Sequence, residues 1–280
     1  MKTAIAIMAW NRHKHLSAVL TSLERTGHHH DVWIFIDGAP AGCSGELRSE
    51  IKANVDLAEL ECEARVVTSF TNAGASKALL SQMDFLFREK GYARVIQLCD
   101  DLELSPYYIH NVDHMLNVFE KDQRVGAVSA FGSRFHPHHD PYLNCYTSMA
   151  NMIGVGMWHD RWEQCTEEVH RYCEIGKESI PEKQQLFKEL YGQRIKDDMS
   201  FSCDGLLYCS MLKRGQMPVS TVANCLKHVG VDGAYTTPVI YDQLGWAKMP
   251  YHEGKVEIPH PGNAFFADAI PKLLEVYQMS

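Results

Sequence analysis

The chain has 280 residues, of which 45% are hydrophobic and 22% charged, a composition typical of a soluble globular protein. Its 35 acidic and 27 basic side chains give a net charge of -8. That balance argues against a general nucleic-acid binder, because such proteins carry a basic stripe. No apolar run is long enough to span a bilayer, and the first residues lack the pattern of a signal peptide. The nine cysteines form no CxxC pair, which favours free thiols in a reducing, cytoplasmic compartment over a zinc site.

The first third of the chain alternates between apolar runs of strand length and helical patterns. Strands are predicted over 3–9, 32–36, 64–70 and 93–98, and the clearest helical patterns cover 14–26 and 72–90. Alternation of this kind indicates an α/β fold with a mostly parallel, Rossmann-like sheet and helices on both faces.

The second half is patterned more weakly and suggests a mixed α+β arrangement. Ser105 has the position of a helix N-cap with Pro106 at the first helical residue. The remaining predicted elements are a strand over 125–131 and helices over 157–174, 181–214 and 268–277. No repeat or linker interrupts the chain, so we expect one domain over 1–280, with halves 1–104 and 105–280.

Polar side chains follow each of the four predicted strands. In parallel sheets ligands bind outside the carboxyl ends of the strands, so these side chains predict one nucleotide-sized site. In strand order they are Asn11 and Arg12, then Asp37 and Gly38, then Asn72 and Gly74, and finally Asp100 and Asp101.

Asp100 and Asp101 stand side by side where the fourth strand should end. Neighbouring side chains of an extended chain point to opposite sides, so we expect the two carboxylates not to bind a single atom together. Two tasks fit them better: a hydrogen bond to a sugar hydroxyl, and ligation of a hard divalent cation that also holds a diphosphate. Taken alone, the pair is better explained by one carboxylate that caps a turn and one that is solvated.

The segment RVIQLCDDLELSPY, residues 94–107, resembles the metal-binding segment of GT-A fold glycosyltransferases. It is most similar to the N-acetylglucosaminyltransferase I type and to bacterial family-2-like relatives, which have Glu-Asp-Asp at this place. Cys99 replaces the first of these carboxylates. The resemblance implies that Asp101 ligates Mn²⁺, with Mg²⁺ as the alternative ion, and that Asp100 contacts the donor ribose or sugar.

Four further segments resemble that family in the same chain order: IAIMAWNR, VWIFIDG, NAGASKALL and GVGMWHDRW. The resemblance implies that the donor nucleotide is contacted by Asn11 and Arg12, by Asp37, by Asn72 and Gly74, and by Lys77 through a phosphate. Each has a simpler explanation as well. Asp37 fits a turn, Asn72 a helix N-cap and Lys77 a solvated helix position. Trp158 and Trp162, four apart on a predicted helix, fit core packing better than sugar stacking, and His136, His138 and His139 fit a surface loop.

Transfer of a sugar with inversion needs a general base to take the proton of the acceptor hydroxyl. Asp197, Asp198 and Asp204 are the candidates in the second half. The register of the resemblance selects Asp204, with Asp198 as the alternative, and a helix N-terminus there would favour the ionised carboxylate. His228 is not favoured as a metal ligand, so one protein ligand, the diphosphate and waters are expected to hold the ion.

The sequence therefore predicts an inverting, metal-dependent glycosyltransferase with a donor half (1–104) and an acceptor half (105–280). The expected donor is a UDP-sugar, with UDP-N-acetylglucosamine favoured. The expected acceptor is a glycan or lipid-linked glycan of bacterial surface polysaccharide synthesis, reached in the cytoplasm or by peripheral contact with the inner membrane. The sequence does not decide whether the chain is a whole protein or one module of a longer one.

Three other functions are alternatives to this prediction, the first of them from the same broad fold. A sugar-1-phosphate nucleotidyltransferase is disfavoured because AWNRHKH lacks the glycines of its phosphate loop. A catalytically silent nucleotide-sugar-binding protein would keep Asp37 and Asp101 without needing Asp204. A dinucleotide-dependent dehydrogenase is disfavoured because no GxGxxG follows the first strand.

Overall fold

The structure is a computed structural model that describes residues 2–61, 64–132, 152–175, 179–193, 195, 201–231, 233 and 236–279. The strands within those ranges are β1 (Thr3–Ala9), β2 (Asp31–Ile36), β3 (Arg65–Thr68), β4 (Arg94–Cys99), β5 (Leu102–Leu104), β6 (Val125–Ser129), β7 (Val155–Trp158), β8 (Met217–Ser220) and β9 (Leu226–His228). The helices are α1 (His13–Glu24), α2 (Gly45–Glu61), α3 (Ala75–Asp84), α4 (Tyr108–Val118), α5 (His159–Glu174), α6 (Ile180–Tyr191), α7 (Cys203–Lys213), α8 (Pro238–Gln243) and α9 (Asn263–Tyr277).

A seven-stranded sheet in the order β3-β2-β1-β4-β7-β6-β8 organises the chain. β1 pairs in parallel with β2 and β4, and β2 pairs in parallel with β3. β7 runs antiparallel to both of its neighbours, and β6 and β8 are again parallel. The predicted mostly parallel α/β sheet is confirmed, and strands from both halves of the chain share it.

Both faces of the sheet are covered by helices. In β1 the side chains of Ile5 and Ile7 face a core that includes α1, α2, α4 and α9, whereas Ala4 and Ala6 face a core that includes α3, α5 and α6. All four side chains are fully buried. This alternation follows from the two-residue repeat of a strand, and it explains why β1 is apolar throughout.

Two sequence predictions about the second half are wrong. α4 begins at Tyr108, and Ser105 and Pro106 lie in the turn before it, where the Ser105 carbonyl accepts from the Tyr108 amide at 3.0 Å. Trp158 ends strand β7, so it does not share a helix with Trp162 of α5. Both tryptophans are buried, as expected for core residues.

Some sequence predictions fall on residues that the structure does not describe. Asp197 and Asp198 lie outside the described residues, as do His136, His138 and His139. The seven cysteines in the described part of the chain are free thiols, in agreement with the sequence prediction. Of the helices described, none combines the length and the apolar character needed to cross a membrane.

Candidate active site

The strand order changes direction between β1 and β4, and this creates a crevice at their carboxyl ends. β1 has β2 on one side and β4 on the other. The chain leaves β1 at Trp10 and leaves β4 at Asp100, whose amide donates to the carbonyl of Met8 at 3.0 Å. Crevices at such switch points are where open α/β sheets bind ligands.

Arg12 joins the two adjacent carboxylates at this crevice. Its Nη2 atom donates to Oδ1 of Asp100 and, at 2.8 Å, to Oδ2 of Asp101. The expectation that the two carboxylates would not share an atom is therefore wrong. β4 ends at Cys99, so the pair lies in a turn rather than in extended chain, where successive side chains would point apart.

The charges of this group are strongly coupled. Burial lowers the pKa of Arg12, but the two carboxylates outweigh it and hold the pKa above its usual range. Burial raises the pKa of Asp100, which is only 3% exposed, and the Arg12 guanidinium offsets part of that rise. The ion pair thus stabilises charges that burial alone would disfavour.

Strand β9 and the residues directly after it bring a histidine and a glycine against Asp101. Nε2 of His228 lies 3.7 Å from Oδ2 of Asp101, and the Asp101 carbonyl accepts from the Val229 amide at 2.8 Å. The His228 ring packs against Trp246, and burial lowers the pKa of this histidine. A Cβ atom at Gly230 would lie 2.4 Å from the same Oδ2 atom. The segment after β9 thus fixes Asp101 in place next to its contact with Arg12.

Replacement of Gly230 by alanine should destabilise the protein, because the added methyl group overlaps the Asp101 carboxylate. We expect a loss of about 1–3 kcal/mol in the free energy of unfolding, measured with chemical denaturant. Gly45→Ala is the matched control, since nothing lies within 4 Å of a Cβ atom there. Equal stabilities for the two variants would show that the contact with Asp101 has no energetic weight.

A second polar group forms where β2 and β3 end, around the carboxylate of Asp37. Oδ1 accepts from the amides of Gly38 and Ala73, each at 2.9 Å. Oδ2 accepts from the amide of Gly74 at 2.9 Å and from Nδ2 of Asn72 at 3.0 Å. Both oxygens are therefore used to hold the loop before α3. Gly74, with φ of 78°, is the N-cap of α3, so the N-cap predicted at Asn72 is wrong.

Gly38 and Trp10 connect this second group to the crevice. A Cβ atom at Gly38 would lie 2.6 Å from the carbonyl oxygen of Ser69, so the loop after β3 packs directly on the Gly38 backbone. Nε1 of Trp10 donates to the carbonyl of Gly38 at 3.0 Å. The loops after β1, β2 and β3 are thereby held as one unit.

Two of the predicted donor-binding residues join neither group. Nδ2 of Asn11 donates to Oε2 of Glu50 in α2 at 2.9 Å. Lys77 is exposed on α3. Burial raises the pKa of Cys173 in α5 to about 11, and the positive charge of Lys77 offsets part of that rise. Their contact with a nucleotide remains a prediction from the resemblance.

Asp204 lies in the first turn of α7, after Ser202, whose side chain accepts from the Gly205 amide as the helix N-cap. The carboxyl group is half-buried, and within the described residues no hydrogen bond or ion pair compensates for its burial. Burial raises its pKa from 3.8 to about 6. The expected preference of a helix N-terminus for the ionised form is thus outweighed by loss of solvent.

The charge of Asp204 affects the same residue, Cys99, as the charges of Asp100 and Asp101. Burial raises the pKa of the Cys99 thiol, and the charges of Asp101, Asp100 and Asp204 raise it further. Asp204 at the beginning of α7 therefore lies close enough to Cys99, the last residue of β4, for its charge to raise the pKa of that thiol. Cys99, which replaces a carboxylate of the resembling family, stays a neutral thiol in this environment.

The sequence did not reveal the roles of Trp10, His228 and Gly230. The dipeptide Trp10-Asn11 directly after a strand was a usable signal for Trp10. The contact of His228 and Gly230 with Asp101 depends on the pairing of β5 with β9, two strands of three residues each. Strands so short show no periodicity that a sequence could display.

Comparisons with known proteins found similar solved structures. Neither a family model nor a curated protein matches the chain. It is similar to S. aureus TarS 1-349, with 12% identity and a TM-score of 0.43, covering 87% of this chain and 63% of that one. It is also similar to the mannose-1-phosphate geranyltransferase of Thermus thermophilus, with 11% identity and a TM-score of 0.44, covering 82% and 77%.

A third similar structure is the glycosyltransferase GlyE of Streptococcus pneumoniae, with 13% identity and a TM-score of 0.41. The match covers 99% of this chain and 63% of GlyE. The chain thus spans less than two thirds of TarS 1-349 and of GlyE. At this level of similarity the function has to be argued from the residues of the site.

Proposed function

We propose that the protein is an inverting glycosyltransferase that moves a sugar from a nucleotide sugar to an acceptor hydroxyl. The observation that supports this most directly is Asp204, a half-buried carboxyl group with a pKa raised to about 6, close enough to the end of β4 for its charge to act on Cys99. A general base works best when its pKa lies near the working pH, and structural carboxylates are normally hydrogen-bonded or solvated instead.

The reaction needs one proton transfer and one substitution. Asp204 would take the proton of the acceptor hydroxyl while the hydroxyl oxygen attacks the anomeric carbon of the donor. The bond from that carbon to the phosphate oxygen breaks, and the nucleoside diphosphate leaves with the bonding electrons. Asp204 would then release the proton to solvent. The charged group of Arg12 and Asp100 lies at the same crevice, where the diphosphate would be bound.

The residues around Asp101 fit a divalent cation under two conditions. A carboxylate oxygen and the Nε2 atom of His228, 3.7 Å apart, are ligands that Mn²⁺ accepts. The described residues contain no group of three such side chains, so diphosphate oxygens and waters would have to complete the coordination. Arg12 would also have to give up its contact with Asp101. A cation bound in this way would neutralise the charge that develops on the leaving diphosphate.

The Asp37 group supplies the other side of the proposed donor site. Its carboxylate is occupied by protein donors, so we infer that it acts by holding the loop of Asn72 and Gly74 in place. That loop precedes α3, and we expect the nucleoside to lie against it, as the sequence resemblance implies. UDP-N-acetylglucosamine remains the favoured donor, and a glycan or lipid-linked glycan the favoured acceptor.

Thermal unfolding with a panel of nucleotides, each with and without Mn²⁺, tests this proposal. A ligand that binds only the folded chain at about 100 times its dissociation constant adds roughly 2.7 kcal/mol of stability. We expect UDP or one UDP-sugar to raise the midpoint in the presence of Mn²⁺, and Asp101→Ala to remove the rise. Asp268→Ala, which changes an exposed carboxylate of α9, should keep it.

The same samples separate the proposed activity from its rivals. Release of UDP that depends on an acceptor supports a glycosyltransferase. Formation of a UDP-sugar from UTP and a sugar-1-phosphate would support a nucleotidyltransferase. A rise in midpoint without any turnover over a panel of acceptors would support a binding protein, and no rise with any nucleotide would contradict all three.

A further inference from the structure

Arg12 occupies the place where a cation would be expected between Asp100 and Asp101. One nitrogen of its guanidinium contacts an oxygen of each carboxylate, and only 23% of its side chain is exposed. The two adjacent negative charges are therefore partly compensated by a cation that belongs to the chain itself. The inference drawn from this arrangement rests on the function proposed above.

A divalent metal ion without a diphosphate should bind weakly to this group of side chains. It would bring a double positive charge next to the guanidinium, and neighbouring like charges repel strongly when they are partly buried. The carboxylates would then be overcompensated. A nucleoside diphosphate, whose phosphates are ionised, would restore the balance if it arrived with the ion.

The second nitrogen of the guanidinium supports the same conclusion. Nη1 of Arg12 is buried and has no acceptor among the described residues. It lies toward the segment after β9, because a Cβ atom at Gly233 would be 3.4 Å from it. A buried charged donor without a partner is costly, and a phosphate oxygen is an acceptor that a guanidinium binds well. The diphosphate would thus give Arg12 the partner that it lacks.

We infer that Arg12 excludes divalent cations from Asp101 until a nucleoside diphosphate is present, so that the cation and the diphosphate bind together. In the free protein the single positive charge of Arg12 offsets one of the two carboxylate charges. When the diphosphate binds, Arg12 turns toward phosphate oxygen, and Asp101 becomes available to the metal. Arg12 is a positioning residue in this scheme and takes no part in proton transfer.

Direct measurement of Mn²⁺ binding by electron paramagnetic resonance tests this inference without any turnover. The free ion gives a six-line spectrum that weakens on binding, so titrations give dissociation constants with and without UDP. For the wild-type chain we expect Mn²⁺ to bind at least about tenfold more tightly with UDP than without it. For Arg12→Gln we expect Mn²⁺ without UDP to bind at least about tenfold more tightly than it binds the wild-type chain, and Asp101→Asn added to that variant should abolish the gain.

Two further variants guard against indirect effects. Arg25→Gln removes an exposed arginine just after the other end of α1 and should bind Mn²⁺ like the wild-type chain. Arg12→Lys keeps the positive charge, so Mn²⁺ without UDP should stay weakly bound. Circular dichroism verifies that each variant is folded, and if Arg12→Gln does not fold, the lysine variant still decides, since tight Mn²⁺ binding by it would contradict exclusion by charge.

Two results would overturn the inference. One is equal Mn²⁺ affinity of Arg12→Gln and the wild-type chain in the absence of nucleotide. The other is Mn²⁺ binding by the wild-type chain that is as tight without UDP as with it. Failure of UDP to bind under any condition would contradict the proposed function instead, while the arm with Mn²⁺ alone would still test Arg12.

Discussion

Replacement of Asp204 by asparagine should reduce turnover by about 10²–10⁴-fold, because the amide cannot accept the proton of the acceptor hydroxyl. Substrate binding should change little, since the side chain keeps its size and the donor site lies on other elements. Release of UDP in the presence of an acceptor is the measurement. Glu182→Gln, which changes an exposed acidic residue in the first turn of α6, is the matched control and should retain full activity.

The pH dependence of the wild-type reaction should identify the same group. Burial raises the pKa of Asp204 to about 6, and only the ionised carboxylate can act as a base. We therefore expect kcat/KM to rise as pH increases through about 6 and to level off above it. Asp204→Asn should lose this limb of the profile. An unchanged profile in Asp204→Asn would assign the base to another residue. Full activity of Asp204→Asn together with loss of activity in Asp198→Asn would assign it to Asp198.

The same substitution should make the folded chain more stable at neutral pH. Between the unfolded value of 3.8 and the folded value of about 6, the folded chain binds more protons than the unfolded chain. The contribution of Asp204 to the free energy of unfolding therefore falls as pH rises through that interval. Above pH 6 the ionised carboxylate costs about 2–3 kcal/mol, which asparagine would recover. Denaturant unfolding at pH 7 and pH 4 should show the gain at pH 7 and little difference at pH 4.

Replacement of Asp37 by alanine should have the largest effect on stability. It removes the acceptor for the amides of Gly38, Ala73 and Gly74 and for the side chain of Asn72. Hydrogen bonds to a charged group contribute about 1.5–3 kcal/mol each, although exposed donors recover part of this from water. We expect a loss of about 3–5 kcal/mol in the free energy of unfolding, measured with chemical denaturant.

Asp268→Ala is the control for this loss, because Asp268 is 66% exposed and pairs only with Lys272 of the same helix among the contacts described. It should change stability by less than about 0.5 kcal/mol. If Asp37→Ala were as stable as this control, the clamp on the loop before α3 would have no energetic weight, and Asp37 would be available to a nucleotide.

The first four strands could be predicted from the sequence because each is an apolar run followed by a turn. β1 was placed at its observed bounds, and the others to within two residues. β5, β7 and β9 could not, since each has only three or four residues and is defined by a distant partner. Tertiary pairing also overrode helical spacing at Trp158, which lies opposite Arg94 of β4.

The candidate site was predicted in its location and not in its internal contacts. The rule about strand ends brought Arg12, Asp37 and the carboxylate pair to one edge of the sheet. It could not show that Arg12 bridges Asp100 and Asp101, because that contact depends on how two loops 88 residues apart meet. Nor could it show that Asp204 is half-buried, since burial is a property of the packed chain and opposes the effect of the helix end that the sequence did indicate.

The position of β7 between β4 and β6 has a consequence for how the chain leaves the ribosome. β4 is paired with β1 on one edge, and its other edge is covered by Val155–Trp158 alone among the strands described. A nascent chain that has emerged only as far as residue 104 can pair β1 to β4 but presents one unpaired edge of a central, apolar strand. Such edges recruit other chains, so we expect the nascent chain to be prone to aggregation until residue 158 has emerged.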